Sequence, residues 1–78
     1  MYEAELRSAI LRILARWERL PESDVLRRLT PVQLAHLREE LFEALAAEGL
    51  IELRLVGDER VLTITARGRQ AVEGGGPL

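Results

Sequence analysis

A chain of 78 residues makes one domain, and at that length only about 60% of the unfolded surface is buried, so the core is thin. An apolar share of 47% supports a globular fold, while the absence of cysteine excludes disulfides, thiolate metal sites and cysteine nucleophiles. All 11 positive charges are arginine, set against 13 acids. The net charge of −2 does not favour a polyanionic partner, and no apolar run approaches the ~18 residues of a membrane span.

The acidic start Met1-Tyr2-Glu3-Ala4-Glu5 lacks the basic region of a secretory leader, so the expected location is cytoplasmic. Glu3 to Arg19 is predicted as the first helix, because Leu6, Ile10, Ile13, Leu14 and Trp17 share one face at a 3.6-residue period. Glu3 and Glu5 in its first turn and Arg16 and Arg19 in its last complement the helix dipole. Leu11 falls off that stripe and is expected at the surface, with a second contact patch as the alternative. Leu20-Pro21 stops the helix, since proline disfavours the α region at the preceding residue. A short second helix follows over Glu22 to Leu29, with Val25, Leu26 and Leu29 inward.

Thr30-Pro31-Val32-Gln33 combines capping-box spacing with proline at the first helical position. One long helix is predicted from Pro31 to Glu48, with Leu34, Leu37, Leu41 and Leu45 on its core stripe and Ala35, Phe42 and Ala46 on an apolar flank. Gly49 supplies its left-handed stop. The period then changes to two. Ile51, Leu53 and Leu55 alternate with Glu52 and Arg54 as a strand with one buried face, Gly57-Asp58-Glu59 turns the chain, and Val61 to Thr65 returns as a second strand. A hairpin alone is marginal, so it must pack on the helices. Thr65 caps a short last helix, Ala66 to about Glu73, and 74–78 is expected to be a flexible tail after a domain spanning 1–73.

Helix, short helix, long helix, hairpin, short helix is an α+β order, mainly α with a small β-hairpin. It resembles a winged helix-turn-helix domain. Ala46-Ala47-Glu48-Gly49-Leu50-Ile51 is similar to the end of the recognition helix in that family. Leu62-Thr63-Ile64-Thr65-Ala66-Arg67-Gly68-Arg69 is similar to the segment leaving the wing in MarR-like and PadR-like bacterial transcription regulators. The resemblance covers about Leu6 to Val72 and implies double-stranded DNA as ligand, helix 31–48 in the major groove, hairpin 50–65 as the wing, and a homodimer or a protein partner. The residues it puts forward for DNA are Gln33 and His36 on the helix, with Arg27, Arg28, Arg54, Arg60 and Arg67 around it.

Charge runs against that placement. Residues 30–49 carry Arg38 against Glu39, Glu40, Glu43 and Glu48, so the acidic excess lies on the element that should approach phosphates. The alternative is a winged helix turned to protein–protein contact through Glu39, Glu40, Glu43 and Phe42. No nucleophile–base pair and no phosphate-binding loop stands out, and His36 beside Glu40 is a weak metal signal better explained as a surface ion pair. The sequence therefore predicts a non-enzymatic binding module with no cofactor, no metal and no membrane partner.

Overall fold

The computed structural model describes residues 2–74, and the expected tail lies outside them save for Gly74, which ends a helix. The first element, α1 (Tyr2–Trp17), is followed by a three-residue strand β1 (Arg19–Pro21) and by α2 (Glu22–Arg27). Two short helices come next, α3 (Pro31–Ala35) and α4 (Glu40–Ala47). The hairpin strands β2 (Ile51–Val56) and β3 (Glu59–Ile64) lead into α5 (Ala66–Gly74). The α+β class stands. Among the described residues the sheet has three antiparallel strands rather than two, in the order β1-β3-β2.

The extra strand arises where the sequence shows only a helix stop. Glu18 leaves α1 with φ of 70°, an unfavourable conformation for a residue with a Cβ, and its carbonyl accepts a hydrogen bond from Ile64 N (3.0 Å). Arg19, Leu20 and Pro21 then pair with Thr63, Leu62 and Val61. The hairpin is thereby tied to the junction between α1 and α2, which supplies the support that two strands lack on their own. Its loop is two residues, Gly57-Asp58, with positive φ at glycine (64°), the arrangement that suits the twist of a tight hairpin.

The core joins Leu6, Ile10, Leu11 and Leu14 of α1 to Leu20, Val25, Leu29, Leu41, Phe42, Leu45, Ile51, Leu62 and Ile64. Each such side chain removed from water contributes about 1.5–3 kcal/mol before entropy is counted. Five expectations about burial fail, one of them at Leu55, which its alternation with Glu52 and Arg54 placed on the buried face of a strand and which is 69% exposed. Leu11 is buried because α5 packs along α1 on that flank: Arg69 of α5 donates to the carbonyl of Ala15, one turn beyond Leu11. Phe42 is fully buried rather than on a flank. Leu34 (41% exposed) and Trp17 (49% exposed), both placed on core stripes by their spacing, face solvent.

The long helix of 31–48 is broken at 36–39, where a side chain competes with the backbone for a carbonyl. The ring Nδ1 of His36 bonds the Val32 carbonyl (3.0 Å), the acceptor that the His36 amide would use in a continuing α-helix. The amides of His36 and Leu37 turn instead to Gln33 and Leu34, three residues back, as in a tightening last turn. New bonds from Leu41 to Arg38 and from Phe42 to Glu39 then open α4. The break also moves the acids. In one long helix Glu39, Glu40 and Glu43 would repel each other mid-element; at the start of α4 the helix dipole favours them.

The ends of these helices follow the sequence closely. Thr30 and Gln33 form the reciprocal capping box with Pro31 inside it. Gly49 (φ 80°) closes α4: its N–H bonds Ala46 and the Leu50 N–H reaches back to Leu45, satisfying two orphan carbonyls.

Candidate interaction surface

Most side chains proposed for DNA already have partners within the chain. Arg60 is the clearest case. Its Nε and Nη2 form a two-pronged bond with the Glu22 carboxylate (2.9 and 3.0 Å), its Nη1 lies 3.8 Å from Glu43, and its guanidinium lies 5.7 Å from the Phe42 ring. The bond to Glu22 raises the Arg60 pKa above its ordinary value, with Glu39 and Glu43 adding to the effect. Arg60 thus clamps β3 to α2 and to the start of α4, and it is largely shielded from solvent.

The same holds elsewhere. Arg27 pairs with Asp24 (3.4 Å), while Arg28 donates to the Asp24 carbonyl (3.3 Å) and lies over the Trp17 ring at 4.9 Å. Gln33 spends its side-chain oxygen on the Thr30 amide (2.9 Å), and His36 bonds Val32. Arg54 and Arg67 are exposed. Nor does the fold gather the candidates into one concavity. His36 lies in a groove between α1 and α4 beside Glu3 and Glu40. Gln33 lies in another along α1 beside Ser8 and Arg12, and Arg54 lines a third on the outer face of the sheet beside Trp17 and Arg19.

The residues put forward for a protein partner are also reassigned. Phe42 is buried and offers no contact surface. Glu43 neighbours Arg60, and Glu39 contributes to the same field, so part of the acidic face balances an internal cation. Glu40 faces the groove with Glu3, Leu41 and Arg38. Among the described residues no group of three His, Asp or Glu side chains is arranged to hold a metal, and no helix is long and apolar enough to cross a membrane.

Several apolar side chains are exposed as well. Val32 (58%) and Leu34 stand out from α3, which contacts the other elements only sparsely and buries none of its residues. Leu55 (69%) and Val56 stand out from the turn end of β2. Alternation placed Leu55 inward, but residues beside a two-residue turn project beyond the helices that cover the rest of the sheet.

One acid in this region has a structural duty that pH reports. α2 begins after Pro21 with no side-chain cap of its own, and Glu59 of β3 accepts from the Ser23 N–H (3.2 Å). Hydrogen bonding from the Ser23 side chain and backbone, with Arg27 nearby, holds the Glu59 carboxyl below its ordinary pKa. A depressed folded pKa gives stability that is present above the unfolded value, about 4.3, and is lost as pH falls through the folded one. Glu59→Gln is therefore expected to lower the melting temperature slightly at neutral pH. The gap from the parent should close under acid, which melting curves collected from neutral pH down to about pH 3 will check.

No known protein family matches the chain, no characterised protein matches it in sequence, and no solved structure matches it. The functional reading rests on the surface just described.

Proposed function

We propose that this chain is a non-enzymatic module of winged-helix type that works through protein–protein contact. The type is supported by the order of helices and hairpin and by a β1-β3-β2 sheet that braces the hairpin against the first two helices. The observation that carries the contact reading is the fate of Arg60. The cation nearest the hairpin turn is held between Glu22 and Glu43, beside a helix start rich in glutamate. Phosphate binding would need that cation released and those acids brought within the field of a duplex that carries one charge per roughly 1.7 Å. Exposed Val32, Leu34, Leu55 and Val56 suit an apolar contact with another protein.

The DNA reading keeps one specific support, the exposed Arg54 and Arg67. Fluorescence anisotropy with a mixed-sequence duplex separates the two. The expected result is no binding at low salt with tens of micromolar protein. Affinity in the range of about 10⁻⁴–10⁻⁶ M that collapses as salt is raised would overturn the protein-contact reading.

A further inference from the structure

We propose that the free edge of β2 pairs antiparallel with β2 of a second copy, centred on Leu53, so that two three-stranded sheets join into one. The proposal rests on the protein-contact reading and names its partner. β2 has β3 on one side and, among the described residues, no strand on the other. Thr65 N–H donates to the Leu50 carbonyl (3.1 Å), and these two residues stand opposite each other in the β2–β3 register. Hydrogen-bonded pairs alternate along an antiparallel ladder. Glu52, Arg54 and Val56 therefore spend their amides and carbonyls on β3, while Ile51, Leu53 and Leu55 turn theirs to the open edge.

A two-fold pairing must match those outward groups and keep each face of the sheet continuous. With Leu53 opposite the partner's Leu53, both conditions hold. Reciprocal N–H···O bonds form at Leu53 and at both Ile51–Leu55 positions. On the outer face Glu52 meets the partner's Arg54 and Arg54 meets the partner's Glu52. These fall at the non-hydrogen-bonded positions, where opposing side chains are closest. Val56 falls opposite the partner's Leu50, and Leu55 opposite the partner's Ile51. Exposed Val56 thus gains the half-buried Leu50 of the partner subunit as an apolar neighbour, while Leu55 extends the apolar row that Ile51 and Leu53 begin. Shifting the register by one residue in each strand sets Glu52 against the partner's Glu52, or Arg54 against the partner's Arg54, and shortens the overlap. Charge and apolar matching select the same register, which identifies the occupant as a second copy rather than an arbitrary extended peptide.

The test is a charge-swap cycle read by light scattering at micromolar to sub-millimolar concentration. The parent is expected to shift from the 8.8 kDa chain mass towards twice that value as concentration rises. Glu52→Arg alone and Arg54→Glu alone each place like charges opposite one another twice per dimer, and each should weaken association about tenfold or more. Two mixtures restore attraction: the two single variants combined, which form a mixed pair, and the double variant with itself. Both residues are exposed, and recovery in the mixture shows that each variant is folded. A parent that stays monomeric across the range, single variants that associate like the parent, or a mixture that fails to recover would each overturn the proposal. DNA binding in the anisotropy titration would overturn the protein-contact reading without altering these masses, so the two failures are distinguishable.

Discussion

Gly68→Ala is expected to cost about 3 kcal/mol or more and to lower the melting temperature by roughly 12–24 °C. A Cβ at this position would lie 2.2 Å from the Leu50 carbonyl oxygen and 2.8 Å from Cγ1 of Ile64. The first is backbone, held by the Thr65 amide at the entry to β2, and cannot swing aside as a side chain would. Relief requires α5 to withdraw from the sheet. That would strain the Thr65 hydroxyl, which accepts from Gly68 N–H (3.0 Å) while donating to the Gly49 carbonyl (2.6 Å). The same small increase at Gly57 meets nothing within 4 Å, leaving only the strain of a positive φ, about 1–2 kcal/mol. Differential scanning calorimetry of the two variants separates collision from conformational strain. Equal losses would mean that α5 is not packed as closely on Leu50 as the distances state.

Gly68 also illustrates how far a sequence alone reaches here. The glycine stood inside a predicted helix as an apparent blemish, and only the approach of Leu50, distant in sequence, gives it a purpose. Local signals were legible: the Thr30–Gln33 box, the Gly49 stop and the two strands stand, while the turn read over Gly57-Asp58-Glu59 is shorter by Glu59, which belongs to β3. What was hidden depends on neighbours brought in by folding. Arg19-Leu20-Pro21 has no strand period of its own and becomes β1 only because β3 lies beside it. Leu11 is covered by α5. The break at 36–39 needs a particular histidine rotamer, which no periodicity reveals. In the candidate site the acids of α4 were visible as charge. Arg60, which explains part of them, finds its main partner Glu22 at a separation of 38 residues. Counting charges by segment could not register that pairing.

Phe42 is where core and surface readings diverge most. As a partner-contacting side chain it could be truncated with little loss of stability; as the largest fully buried side chain it cannot. Phe42→Ala is expected to cost about 3–5 kcal/mol, much of what a domain of this size possesses, so the variant should be largely unfolded near physiological temperature. Its ring also lies under the Arg60 guanidinium, which makes the loss more than a cavity. Arg60→Ala should cost about 2 kcal/mol, because the half-shielded Glu22 carboxylate loses a two-pronged charged partner. Phe42→Leu keeps most of the volume, at a cost near 1–2 kcal/mol, and removes the ring face. If ring and cation act together, Phe42→Leu combined with Arg60→Ala will cost less than the sum of the two single changes by at least ~0.5 kcal/mol in urea denaturation. Strict additivity would show that the ring adds nothing to the hold that Glu22 has on Arg60. Coupling instead shows that the hairpin cation is held from two sides, by the Glu22 carboxylate and by the face of a core ring.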